Sequence, residues 1–214
     1  MNRIDEALLS LLYPENVACI ACGEEASVNT DGLCASCAAG LLRCEAPHAV
    51  RFTDGFTAGL IYTEEAARAI QRFKYGDARY LAGFLASFLD IPEAWDIEAI
   101  VPVPLHKRSL NRRGYNQSAL LAGALAARIS VPVRPELLVR VRNTKTQTRL
   151  NMKQRARNLR GAFRALPEAK GMRLLLIDDV RTTGATLAEC AQALRAAGAS
   201  AVYACAACER ERPR

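Results

Sequence analysis

The chain has 214 residues, which suits one domain or one domain with a small appendage. Half of the residues are hydrophobic, enough for a substantial core, yet no run of eighteen apolar residues occurs, so we expect no membrane insertion. The short apolar run 7–12 follows Asp5 and Glu6 and fits a signal peptide poorly. A cytoplasmic location is therefore expected.

The net charge of +7 is distributed very unevenly along the chain. Residues 1–105 contain seven Lys and Arg against fifteen Asp and Glu, a net charge of −8. Residues 106–173 contain seventeen against two, a net charge of +15. A segment this basic attracts polyanions and predicts binding of a diphosphate, a nucleic acid, or both. Taken alone, the same arginines would also fit a solvated basic face.

Four of the eight cysteines form two Cys-x-x-Cys pairs, Cys19 with Cys22 and Cys34 with Cys37. This spacing is typical of a tetrahedral Zn2+ site with four thiolate ligands. Because the segment is poor in bulky apolar residues, a structural zinc ion would supply stability that its core lacks. The sequence thus predicts a zinc-ribbon module over 1–50 and a second domain over 51–214. Buried or redox-active thiols are the alternative interpretation of these cysteines.

The remaining cysteines favour other interpretations. Cys44 and His48 follow the two pairs closely, but two ligands do not close a metal site, so we predict no second metal ion. Cys205 and Cys208 are three residues apart in an alternating apolar run and would face opposite sides of a strand, which favours packing. Cys190 lies in a predicted helix and is interpreted as a small core residue.

Hydrophobic periodicity predicts that strands and helices alternate through the second domain. Strands are predicted over 52–62, 97–103, 137–141, 162–166, 174–177 and 201–207, and helices around 66–73, 81–89, 121–129 and 187–194. Residues 105–116 are polar and basic and are predicted to form a loop. The alternation predicts an α/β fold in which helices flank both faces of a mainly parallel sheet.

The run 174–186 carries the strongest functional signal. Four apolar residues predict a buried parallel strand, with Asp178 and Asp179 at its carboxyl end, where open α/β sheets bind ligands. The turn that follows precedes a helix, so its N–H groups and the helix dipole favour a phosphate. It consists of Thr182, Thr183, Gly184, Ala185 and Thr186, with Arg181 adding positive charge at the rim. The carboxylates suit sugar hydroxyls or Mg2+, so the run predicts a ribose 5-phosphate site. A Rossmann-like strand end with a fortuitous Asp pair is the alternative.

Two parts of the basic segment suit the diphosphate of such a ligand. The first follows the predicted strand 97–103 and offers arginine forks, a glycine and a helix start. Its candidate residues are Arg113, Gly114, Asn116 and Gln117. The second has the loose spacing of a mobile lid. Its candidate residues are Arg142, Gln147, Arg155 and Asn158.

The run 174–186 resembles the phosphoribosyl diphosphate (PRPP) binding signature of type I phosphoribosyltransferases. Over 19–208 the motifs resemble, in order, those of the ComF family, bacterial proteins linked to competence and DNA uptake. They are the two cysteine pairs, Pro102-Val103-Pro104, Arg113 to Gln117, Arg142/Thr144/Gln147, Arg155/Asn158, Gly161-Ala162-Phe163 and Asp178 to Thr186. The resemblance implies a type I phosphoribosyltransferase-like fold behind a zinc ribbon. It also implies PRPP with Mg2+ as ligand, and single-stranded DNA and other competence proteins as partners.

Three functions compete at this stage. The first is a phosphoribosyltransferase that acts on an unidentified nitrogenous acceptor. The second is a DNA-uptake factor that binds single-stranded DNA through the basic segment, although only Tyr115 and Phe163 offer aromatic platforms there. The third is a regulator that binds PRPP without catalysis. The sequence shows neither an obvious general base nor an acceptor pocket, and it predicts the ligand better than the reaction.

Overall fold

The computed structural model describes residues 18–142 and 159–210. Within these ranges strands and helices alternate, as the periodicity predicts. In chain order the elements are α1 (Ala35–Gly40), β1 (Gly55–Ile61), α2 (Glu64–Tyr75), α3 (Leu81–Ala86), β2 (Ala99–Pro102), α4 (Lys107–Arg113), α5 (Gln117–Ile129), β3 (Leu138–Arg140), β4 (Phe163–Ala165), β5 (Arg173–Arg181), α6 (Ala185–Ala196) and β6 (Ala201–Glu209). Among these helices, none is long and apolar enough to cross a membrane.

The main sheet has four strands in the order β1-β6-β5-β2, and every neighbouring pair is parallel. This confirms the prediction of a mainly parallel α/β sheet. Because parallel strands share one direction, the carboxyl ends of β5 and β6 lie at the same edge. There Arg181 pairs in register with Glu209. The strands β3 and β4 form a separate antiparallel hairpin.

The sheet is covered on both faces, as a parallel sheet requires. Alternate residues of β5 point to opposite sides: Leu174 and Leu176 pack with α6, whereas Leu175 and Ile177 pack with α2, α3 and α5. All four side chains are fully buried. The apolar run that predicted this strand therefore lies at the centre of the core, directly before Asp178.

The prediction of a loop over 105–116 is wrong, because this segment contains α4. The helix begins where the His106 ring accepts a hydrogen bond from the Arg108 N–H, and it ends at Gly114, whose φ is +75°. Both are local helix-end devices, and Lys, Arg and Leu between them form helices readily. The helix predicted over 81–89 is also shorter and ends at Ala86.

The cysteine pairs lie against α2 of the α/β fold. The Arg72 side chain donates hydrogen bonds to the carbonyls of Ile20 (2.8 Å) and Ala21 (2.9 Å), between the cysteines of the first pair. Gly23 follows that pair with φ of +77°, and a Cβ there would lie 2.5 Å from the guanidinium carbon. Glycine thus serves both the turn and the close approach of Arg72. The division at residue 50 stays a prediction.

Candidate functional site

The segment after β5 forms a tight turn into α6. Gly184 is the N-cap of this helix and has φ of +75°, a left-handed conformation that glycine adopts without strain. The Thr183 hydroxyl accepts a hydrogen bond from the Ala185 N–H (3.4 Å). A small pocket at this turn is lined by Asp178 and by residues 180–187. The structure thus brings the carboxylate and the predicted phosphate-binding turn together.

Asp178 is held by hydrogen bonds at the carboxyl end of β5. Its Oδ1 accepts from the Ser118 hydroxyl (3.0 Å), at the start of α5, and from the Asp179 N–H (2.9 Å). Removal of water from around the carboxyl, and then the charge of Asp179, raise its pKa to about 7. Asp178 therefore exchanges its proton near neutral pH.

Lys74 is a site residue that the sequence analysis missed. It lies in the last turn of α2, and its Nζ forms an ion pair with Asp179 Oδ1 at 3.0 Å. Burial alone would lower its pKa, but the carboxylates of Asp179 and Asp178 raise it, so the ammonium stays charged. No sequence pattern indicates this ion pair, because more than a hundred residues separate the two partners.

The predicted diphosphate residues lie beside this pair. Arg113, at the end of α4, donates hydrogen bonds to the Gln117 side chain (2.9 Å) and to the Tyr75 hydroxyl (3.0 Å). Its charge acts on Lys74, next to Tyr75 on α2. Asn116 caps α5 by accepting from the Ser118 N–H (3.1 Å). The residues 113–118 thus connect α4, α5 and the Asp178 side of the pocket.

Of the four residues predicted to form a lid, the structure describes one. Arg142 is exposed and donates a hydrogen bond to the Arg160 carbonyl (2.7 Å). Gln147, Arg155 and Asn158 lie outside the described residues.

Arg181 does not lie at the rim of the turn, where the sequence analysis predicts it. Its side chain is 1% exposed and forms an ion pair with Glu209, at the end of β6. The pairing of β5 with β6 places these two buried side chains next to each other beneath the turn. Arg181 still lies close to the turn, but from the inside of the protein.

The four paired cysteines form the only group of three or more potential metal ligands among residues 18–142 and 159–210. The ligand atoms of Cys19, Cys22, Cys34 and Cys37 all lie within 4.8 Å of one another. Burial alone would raise the pKa of the Cys19 thiol, but backbone hydrogen bonds lower it to about 6. Burial raises the pKa of the Cys37 thiol. Converging thiols of this kind could hold a metal ion such as zinc.

The cysteines outside the two pairs are only partly as predicted: Cys205 and Cys208 pack in the same core cluster and not on opposite faces of the sheet. Cys190, Cys205 and Cys208 are buried in the core, and burial raises the pKa of each thiol. Cys44 and His48 both contact Glu209, and neither belongs to the cysteine group.

The phosphoribosyl transferase domain family matches residues 116–214. DNA utilization protein YhgH of Salmonella typhi is 42% identical over 111 residues, which are 52% of this chain and 49% of that protein. Competence protein F of Haemophilus influenzae is 38% identical over 64% of this chain and 65% of its own length. Competence protein ComFC of Bacillus subtilis is 29% identical over 90% and 84%. The chain spans about half the length of YhgH.

A solved glutamine PRPP amidotransferase from B. subtilis, complexed with ADP and GMP, aligns with 64% of this chain and 30% of its own. The TM-score is 0.43 and the identity 18%, so the assignment depends instead on the domain match, the parallel sheet and the relatives named for competence. These observations agree with the motif order in the sequence. Together, the domain match and the relatives named for competence support a ComF-family, phosphoribosyltransferase-like protein.

Proposed function

We propose that this protein binds PRPP and acts in DNA uptake together with other competence proteins. One observation carries the proposal: the turn after β5, the carboxylate pair and two basic side chains, Lys74 and Arg113, lie in one continuous region. A ligand with phosphate at one end, hydroxyls in the middle and diphosphate at the other end matches this order of groups. PRPP has that order.

Each part of the ligand has a complementary partner. The 5-phosphate accepts hydrogen bonds from the turn Thr182 to Thr186, and the ribose hydroxyls donate to Asp178 and Asp179. The diphosphate lies near Lys74 and Arg113. Gly114, Asn116 and Gln117 support this end, and the lid would add Arg142, Gln147, Arg155 and Asn158. Mg2+, when bound with the diphosphate, would neutralise part of its charge.

The same arrangement would support transfer chemistry. Loss of diphosphate from C1 develops negative charge on the leaving group, and Lys74 with Arg113 would stabilise that charge. The ionised Asp178 would orient the ribose hydroxyls beside the positive centre that forms on the sugar. The alternative function is that of an active phosphoribosyltransferase, which would transfer the ribose 5-phosphate to a nitrogenous acceptor. A PRPP-sensing regulator needs only the binding.

Calorimetric titration with PRPP and Mg2+ tests the proposal. The wild type should bind, and Asp178→Ala/Asp179→Ala should lose at least about 100-fold in affinity, because several hydrogen bonds to charged groups are removed. Asp54→Ala provides a control, since this carboxylate pairs with Arg195 instead. Undiminished binding by the double variant would refute the site. Diphosphate release with any base or amine would favour the transferase over the regulator.

A structural Zn2+ ion on Cys19, Cys22, Cys34 and Cys37 is the second part of the proposal. Purified protein should contain one zinc ion per chain, measured by chelator-induced release. Cys37→Ser should abolish that content, whereas Cys190→Ser, which alters a buried core thiol, should retain it. Zinc retention in Cys37→Ser would contradict this assignment.

Binding of single-stranded DNA is favoured by an aromatic and arginine-rich face. Tyr75 and Tyr80 are 59% and 56% exposed. Their rings lie 4.9 Å from the Arg113 guanidinium carbon and 5.8 Å from that of Arg72. Arg79 lies between them along the chain. Exposed rings interleaved with arginines suit stacked bases and a phosphate backbone. These tyrosines precede the basic segment 106–173, in which Tyr115 and Phe163 are the aromatic platforms that the sequence offers.

Fluorescence anisotropy with a labelled oligothymidylate tests this face. Binding should weaken steeply as salt rises, because phosphate contacts release counterions. Tyr75→Ala/Tyr80→Ala should lose about tenfold or more in affinity, whereas Tyr75→Phe/Tyr80→Phe should retain most of it. Salt-independent binding, or equal affinity of the Ala and Phe variants, would contradict DNA binding at this face.

A further inference from the structure

A buried ion pair joins the carboxyl ends of β5 and β6. The side chains of Arg181 and Glu209 are 1% and 3% exposed, and Nη1 of the arginine contacts Oε1 of the glutamate. Such a pair is costly to bury, and apolar side chains of similar volume often replace one without loss of stability. Because Arg181 directly precedes the predicted phosphate-binding turn, we looked for a function of this ion pair at that turn.

The guanidinium faces the turn with its other nitrogens. A Cβ placed on Gly184 would lie 3.3 Å from Arg181 Nε and 3.7 Å from Nη2. The Phe56 ring lies 5.7 Å from the guanidinium carbon. The positive member of the pair thus lies beside Gly184 of the turn, and its side chain is only 1% exposed, so little water screens its charge.

The Glu209 carboxylate, which pairs with the guanidinium, is itself held by residues of the segment that follows the cysteine pairs. Its carboxylate accepts the His48 N–H (3.2 Å to each oxygen) and contacts His48 Nδ1 (2.9 Å). The Cys44 thiol donates to Oε2 at 3.6 Å. Arg181 Nη2 in turn donates to the Ala49 carbonyl (3.4 Å). Both charged groups are therefore held in one geometry.

We propose that Arg181 attracts the bound phosphate from beneath the turn without touching it, and that Glu209 is the positioning residue that holds the guanidinium there. The pair is oriented with Nε and Nη2 toward the turn and the carboxylate on its other side. A phosphate above the turn is therefore attracted by the nearer charge more than it is repelled by the farther one. This inference rests on the proposed PRPP site and assigns Glu209 a role in it.

Two double variants test the pair with ribose 5-phosphate and with Mg2+-diphosphate as separate calorimetric probes. Arg181→Met/Glu209→Leu replaces both charges by apolar groups of similar volume. Arg181→Glu/Glu209→Arg keeps an ion pair but reverses its direction. Thermal melting and zinc content report whether each variant folds.

Both folded variants should lose about tenfold or more in affinity for ribose 5-phosphate, the reversed pair most, and should bind Mg2+-diphosphate within about twofold of the wild type. A purely structural pair predicts that the reversed pair restores phosphate affinity, and that result would overturn the proposal. If neither double variant folds, Arg181→Lys should retain the affinity and Arg181→Gln should lose it, and equal losses would overturn it. A wild type that binds neither PRPP nor ribose 5-phosphate would instead refute the PRPP site itself.

Discussion

The two ends of the candidate PRPP site are built in different ways. The phosphate end is one continuous segment, Asp178 to Thr186, placed by the buried strand β5 and by the start of α6. The diphosphate end is assembled from three helices, with Lys74 on α2, Arg113 on α4 and Gln117 on α5. A continuous segment keeps its geometry through local backbone bonds. An assembled end keeps its geometry only while the helices stay packed.

This difference extends to the contacts behind each end. The phosphate end is supported by the core of the sheet and by the pair Arg181 and Glu209. The diphosphate end is supported through α2, on which the cysteine pairs pack. Arg72 binds the carbonyls of Ile20 and Ala21 two residues before Lys74 contacts Asp179. The segment with the two cysteine pairs (the cysteine module) is therefore connected through α2 to the diphosphate end.

Among the changes that separate the two ends, substitution of Lys74 should have the largest effect. Lys74→Met should lower PRPP affinity about 30-fold, because the buried ammonium no longer attracts the diphosphate or offsets the charge of Asp179. Ribose 5-phosphate, which lacks the diphosphate, should bind within about twofold of the wild type. Lys170→Met removes an exposed charge elsewhere and serves as the control in the same calorimetric titrations. Equal losses for both ligands would show that the ends are not independent.

A change of pH should act on the middle of the site. The pKa of Asp178 is raised to about 7, and the ribose hydroxyls donate more strongly to the ionised carboxylate than to the protonated one. PRPP affinity should therefore rise about tenfold from pH 6 to pH 8, as the proton is lost. Stability should change in the opposite direction: the folded state holds this proton more tightly than the unfolded state, so stability falls as pH rises from about 4 toward 7.

Asp178→Asn separates this effect from the titration of the ligand's own phosphates. The variant cannot ionise at this position, so its affinity should be lower and should retain only the pH dependence of the ligand. Parallel pH profiles for the wild type and the variant would show that another group is responsible.

The sequence allowed the continuous end to be predicted, because strand, carboxylates and turn are consecutive. It placed Arg181 at the rim, since burial of an arginine depends on a partner, Glu209, on another strand. It missed Lys74, whose helix looks like any amphipathic helix until the fold brings it to Asp179. It also missed α4, because the capping hydrogen bond of His106 is invisible in a basic, polar segment.

The connection between the cysteine module and the assembled end predicts a smaller effect. Arg72→Met should leave zinc content unchanged but lower PRPP affinity about fivefold, because the last turn of α2 loses its anchor. Arg68→Met lies one turn earlier on the same helix, where Arg68 pairs with Glu65, and it should have little effect on affinity. If Arg72→Met binds PRPP as the wild type does, the module and the site are independent.

The smallest effect tests how tightly the continuous end is built. Gly184 and Gly171 have φ of +75° and +77°, so alanine at either position should cost about 1 kcal/mol of stability, measured by urea unfolding. A Cβ on Gly184 also approaches Arg181, whereas one on Gly171 meets no described atom within 4 Å. Gly184→Ala should therefore lower ribose 5-phosphate affinity about threefold, and Gly171→Ala should not change it. Equal affinities would mean that the turn tolerates displacement of the guanidinium, and the rigidity argued for this end would be wrong.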